Sequence, residues 1–112
     1  MINNCIEACH KTIIACNQCA SACLLEKNIN DMRYCIQLDM ECAAICMATV
    51  QLLSLDSKRT KEICHLCTEF CMACAAECST HDMEHCVRCS EACADCAEQC
   101  RILASAGVAS AV

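Results

Sequence analysis

The chain has no proline, no tryptophan, one glycine, one tyrosine and one phenylalanine in 112 residues. With proline missing and the sole glycine at Gly107, nothing interrupts a helix before the tail. The scarcity of aromatic and β-branched residues excludes a fold built on sheets. No apolar run approaches the roughly 20 residues that cross a bilayer. The opening Met1-Ile2-Asn3-Asn4-Cys5 has neither the basic stretch nor the apolar stretch of an export signal. Basic residues are also few, 8 Lys and Arg against 14 Asp and Glu, for a net charge of −6. That balance argues against partners such as nucleic acid or an anionic membrane surface. A soluble, cytoplasmic protein is expected.

What the chain has in excess is cysteine, 18 residues of it. The clearest runs are Cys64, Cys67, Cys71, Cys74, Cys78 and Cys86, Cys89, Cys93, Cys96, Cys100; Cys5, Cys9, Cys16, Cys19, Cys23 and Cys35, Cys42, Cys46 are sparser versions. Steps of three and four put each run on one face of an α-helix. Larger apolar side chains are too few to fill a core alone, so the thiols, which pack as small hydrophobes, are expected to form it. A secreted disulfide scaffold would also be cysteine-dense. Neighbours on a helix face, however, keep their Cβ atoms about 5–6 Å apart, whereas a disulfide wants about 3.5–4.5 Å.

Periodicity and polar breaks give four helices, about Asn4 to Lys27, Asp31 to Leu53, Ser57 to Cys78 and Asp82 to Ala104. Asn4 with Glu7 reads as a capping box, and Ser79-Thr80 as the start signal of the last helix. Short connections predict an all-α, up-down-up-down antiparallel four-helix bundle over residues 1–104, with 105–112 a frayed tail. Antiparallel register opposes Cys78 with Cys86, Cys74 with Cys89, Cys71 with Cys93, Cys67 with Cys96 and Cys64 with Cys100. It also opposes Cys23 with Cys35 and Cys16 with Cys42, and brings Cys46 to Cys64, Cys35 to Cys74 and Met32 to Cys78. One end of this sulfur-lined tube carries Met32, Met83, His81 and His85. The other is stopped by Ile2, Val50, Leu53 and Leu103. Metal is expected to enter at the His/Met end.

Eighteen buried thiols ionise only if cations cancel their charge. A tetrathiolate zinc site is doubly negative, so several in one dry core would repel, whereas one Cu(I) per thiolate is neutral. Thiolate and thioether donors also favour Cu(I). Charge balance therefore predicts roughly one Cu(I) per cysteine. The rival readings are Zn(II)-thiolate binding and iron–sulfur carriage, although cluster motifs sit on loops with proline and glycine. A thioredoxin-like enzyme would need a βαβ scaffold for one of the five CxxC pairs, and no catalytic role is expected. A ligand-free cysteine core would carry an oxidation hazard for no packing gain over Ala, Leu or Val. Among single residues, Asp39 is expected to be a partly solvated acid in the stripe, level with Cys19, Cys71 and Cys93. His10 and His65 are expected at the surface or a seam, and Met40, Met47 and Met72 in packing or subunit contacts.

The striped helices, the Cys35-x6-Cys42-x3-Cys46 segment around Leu38-Asp39, and His81-Asp82-Met83-Glu84-His85 resemble the bacterial copper storage protein family, from about Cys5 to Leu103. The resemblance implies a homotetramer of bundles storing or detoxifying Cu(I) on cysteine thiolates, folded before metal arrives. It points to the cytosolic branch, with a copper chaperone as an expected partner. It also implies that His81, Met83 and His85, with Met32, help admit copper.

Overall fold

In the computed structural model, described over residues 1–106, four helices run α1 (Ile2–Cys23), α2 (Ile29–Ser54), α3 (Thr60–Cys78) and α4 (Glu84–Ser105). They form an antiparallel bundle whose principal extents are 50 × 19 × 18 Å. Consecutive helices pack on one another, and α1 against α4 closes the square. The predicted all-α, up-down-up-down architecture is the one observed. Ser105 belongs to α4 rather than to the tail, and residues 107–112 of the predicted tail lie outside the described residues.

Helix boundaries depart from the sequence pattern at the polar breaks. α1 begins two residues before Asn4, and none of the four helices has a side-chain N-cap bond, so the Asn4/Glu7 capping box does not form. α1 also stops at Cys23 rather than Lys27. Its last turn tightens through Leu25 N–H to Ala22 O and Glu26 N–H to Cys23 O, at 3.0 and 3.2 Å. Ser79 and Thr80 serve the opposite function from the one predicted. Their hydroxyls donate to the Ala76 and Glu77 carbonyls at 2.7 Å, closing the end of α3 instead of starting α4. The α2–α3 turn is a Schellman arrangement. Asp56 takes a left-handed φ of 55°, and Ser57 N–H reaches Leu52 O at 3.0 Å while Asp56 N–H reaches Leu53 O at 3.1 Å.

All 18 cysteines are fully buried, and together they make most of the core. The apolar residues Ala8, Ala43, Ala97, Leu53 and Leu103 are buried with them, and Ile2, Ile6, Val50 and Ile63 pack against this core from its edge. Thr12, also fully buried, ties α1 to α4 by donating to the Ala92 carbonyl at 3.1 Å. Among the described residues no buried side-chain nitrogen or oxygen lacks a partner.

Two expectations are corrected. The α2–α3 register lies about one turn from the predicted one: Cys46 meets Cys67 at 3.8 Å and Cys35 meets Cys78 at 3.5 Å, not Cys64 and Cys74. The Schellman turn through Ser57 and two further residues, Lys58 and Arg59, separate these helices, which shifts the whole pairing. Second, α2 is long and apolar enough by length and composition to cross a membrane, contrary to the reading of the sequence. Its apolar character comes in part from Met32, Cys35, Cys42 and Cys46, all of which are buried inside the bundle.

Candidate metal-binding core

The sulfurs form a continuous column because each helix turns one three-and-four-spaced face inward. Between α1 and α4, Cys5 meets Cys100 at 3.4 Å, Cys9 meets Cys96 at 3.6 Å, Cys16 meets both Cys93 and Cys89 at 3.7 Å, and Cys19 meets Cys86 at 3.8 Å. Between α2 and α3, Cys42 meets Cys71 at 3.6 Å. Diagonal contacts complete the column, Cys42 to Cys93 at 3.9 Å and Cys46 to Cys96 at 4.0 Å. These separations are far beyond the ~2.05 Å of a disulfide, and every cysteine among the described residues is free.

Level by level, sulfurs from different helices converge. The donor atoms of Cys9, Cys46, Cys67 and Cys96 lie within 4.8 Å of one another, as do those of Cys16, Cys42, Cys74 and Cys93, and those of Cys19, Cys23, Cys35 and Cys86. The predicted oppositions of Cys16 with Cys42, Cys23 with Cys35 and Cys67 with Cys96 are all present in these groups. Four thiols at such spacing also suit tetrahedral zinc. Geometry alone does not choose the cation; the accumulated charge of stacked tetrathiolates does.

Asp39 is the exception in the column, and it corrects the expectation of a partly solvated acid. It is fully buried. Its Oδ1 accepts from Cys89 at 3.2 Å, Cys74 at 3.3 Å and Cys78 at 3.5 Å, and its Oδ2 from Cys35 at 3.9 Å. It therefore stands level with Cys74 and Cys78, about one turn from the Cys71 and Cys93 predicted. Burial, followed by the charges of Cys89 and Cys35, pushes its carboxyl up to about 8. Burial likewise raises the mouth thiols, Cys86 to about 11 and Cys23 further. Deeper in the core, the neighbouring Cys16 and Cys46 thiols pull Cys42 down, and Cys42 in turn pushes Cys16 and Cys46 up.

At the mouth the predicted residues separate into distinct positions. Met32 is fully buried and receives Asn28 Nδ2 at 4.0 Å from its sulfur. Met83 is half-buried at the N-cap of α4. His85 turns Nδ1 toward Cys19 at 3.4 Å, Cys86 at 3.5 Å and Cys23 at 4.0 Å. His81 is half-buried and pairs Nε2 with Glu77 at 2.9 Å. His10 and His65 are exposed, as are Met40, Met47 and Met72, so those three methionines take no part in core packing. Sequence reasoning passed over Glu26 and Glu77, the carboxylates beside His85 and His81. Glu77 has an i,i+4 signal toward His81, whereas Glu26 reaches His85 from across the mouth and has no spacing to reveal it.

A helical tube whose interior is almost wholly thiol defines a container for soft, thiophilic cations. A family profile described as copper storage protein matches residues 1–105, and the chain belongs to that family. An uncharacterized cysteine-rich protein, YhjQ, of Bacillus subtilis (strain 168) is 48% identical over 81 residues, 72% of this chain and 75% of that protein. The apo form of copper storage protein 3 from Bacillus subtilis superposes with a TM-score of 0.87 at 46% identity, covering 94% of this chain and 100% of the other. Its Cu(I)-bound counterpart matches at 48% identity and the same TM-score, over 90% and 95%. The Ccsp copper storage protein of Streptomyces lividans, loaded with 10 copper equivalents, gives a TM-score of 0.90 at 38% identity over 93% and 83%.

Proposed function

We propose that this chain is a cytosolic store that sequesters Cu(I) on all 18 cysteines, namely Cys5, Cys9, Cys16, Cys19, Cys23, Cys35, Cys42, Cys46, Cys64, Cys67, Cys71, Cys74, Cys78, Cys86, Cys89, Cys93, Cys96 and Cys100, at roughly one ion per thiolate by charge balance. One observation carries the reading: every cysteine is fully buried, and all but Cys64 have a neighbouring sulfur 3.4–4.0 Å away. Each incoming Cu(I) displaces a thiol proton, so loading releases acid and leaves the core neutral. The role is storage without catalysis. The cytosolic setting is supported by the Streptomyces lividans relative, which is described as a cytosolic copper storage protein. The working form is a homotetramer, in which exposed side chains such as Met40, Met47, Met72 and Tyr34 are available for subunit contact, and a copper chaperone supplies the ion.

Copper enters at the end where Met32, Met83, His81 and His85 gather, and passes inward by exchange between neighbouring sulfurs. The opposite end is plugged by the buried Leu53 and Leu103, with Ile2 and Val50 packed against the core. Anaerobic titration of the reduced protein with Cu(I), and separately with Zn(II), tests the proposal. Saturation near one Cu(I) per thiol with parallel proton release supports it. Saturation at a few ions with Zn(II) preferred, or inorganic sulfide in the purified protein, overturns it.

A further inference from the structure

We infer that Glu26 is a positioning residue for copper uptake: it holds His85 in the tautomer that leaves Nδ1 unprotonated and aimed at the mouth sulfurs. Glu26 Oε2 lies 3.0 Å from His85 Nε2. A carboxylate can only accept, so the bond places the ring proton on Nε2. In the neutral ring the lone pair is then on Nδ1, which faces Cys19, Cys86 and Cys23 at 3.4, 3.5 and 4.0 Å. Three sulfurs and one nitrogen so placed surround a common point just inside the mouth.

The two partners come from opposite sides of the opening. Glu26 sits in the α1–α2 connection, its own N–H held by the Cys23 carbonyl at 3.2 Å, and His85 is in the first turn of α4. Their bond therefore spans the mouth and fixes the ring relative to both α1 and α4. The His81–Glu77 pair is different in kind, since it closes within one helical turn. A neutral imidazole nitrogen can take a cation without first losing a proton, which the thiols beside it cannot. Carboxylate–histidine–metal arrangements use an outer carboxylate in this way, and its removal costs about 10–100-fold in metal affinity or activity.

The inference rests on the reading that His85 receives incoming copper. Its test has two parts, on reduced protein with Glu26→Ala, Glu26→Gln and His85→Ala. In the first, nitrogen NMR of the copper-free protein reads the His85 tautomer. Wild type and Glu26→Gln, whose amide oxygen still accepts, should hold the proton on Nε2, and Glu26→Ala should give a mixture. In the second, stopped-flow transfer of Cu(I) from a chromophoric chelator reads uptake. Glu26→Ala should slow the first phase about tenfold, Glu26→Gln should remain close to wild type, and total Cu(I) capacity should be unchanged in both. An unaltered tautomer in Glu26→Ala overturns the inference. So does wild-type uptake by Glu26→Ala where His85→Ala is slow. Wild-type uptake by His85→Ala instead overturns the reading of His85 as receiver, and the tautomer measurement still decides the role of Glu26.

Discussion

Cys89 Sγ lies 3.2 Å from Asp39 Oδ1 in the middle of the bundle, with neither side chain exposed to solvent. A carboxylate in a thiol column is a hard oxygen among soft donors, and in the metal-free protein it survives by accepting S–H bonds from Cys89, Cys74, Cys78 and Cys35. It is better protonated than ionised there, which has a consequence for the pH dependence of folding.

The Asp39 carboxyl is raised to about 8 in the folded protein, against roughly 3.9 in an unfolded chain. The native state therefore keeps a proton that the unfolded state has released between those values. The stability this confers is fully present below about pH 4 and is lost as pH rises toward 8, at up to about 1.4 kcal/mol per pH unit. Denaturant melts of the reduced, metal-free protein from pH 5 to 8 should show falling stability in wild type and a flatter profile in Asp39→Asn. Parallel profiles would mean that the carboxylate ionises in the core at little cost.

The α2–α3 turn offers a backbone test independent of copper. Asp56 holds a left-handed φ of 55°, a conformation that costs most non-glycine residues about 1 kcal/mol or more but that Asp and Asn tolerate. Asp56→Gly should be neutral or slightly stabilising, whereas Asp56→Val should lower stability by about 1–2 kcal/mol. Chemical denaturation reads both. Because this turn fixes the register of α2 on α3, Asp56→Val should also broaden the core signals in NMR spectra.

These two sites mark the limit of what spacing alone reveals. Cysteine periodicity located four inward faces, and the α1–α2 and α3–α4 hairpins followed because Cys16 with Cys42 and Cys67 with Cys96 are joined by short connections. The α2–α3 register was off by a turn because polar residues such as Ser57 read as helix, whereas the chain around Asp56 is occupied in a Schellman turn. Spacing puts Asp39 on the right face but does not reveal its burial, since its protection comes from thiols of α3 and α4 that no local pattern displays. Glu26 was invisible for the same reason: its partner, His85, is 59 residues away.

Polarity of the tube yields the sharpest kinetic prediction. Cys86 stands at the mouth, 3.8 Å from Cys19 and 3.5 Å from His85 Nδ1. Cys100 stands at the plugged end, 3.4 Å from Cys5 and 4.0 Å from Cys96. Both are fully buried, and replacing either with alanine removes one small buried group, at about 1 kcal/mol of apo-protein stability. Capacity should fall by about one Cu(I) in each variant, since each loses one charge-balancing thiolate. Uptake should distinguish them: Cys86→Ala should slow the earliest phase of transfer from a chelator, and Cys100→Ala should leave that phase alone and shorten only the last. Equal early rates in the two variants would mean that copper reaches the column through the helix seams or from both ends. The apolar plug of Leu53 and Leu103 would then be a packing feature with no bearing on the route.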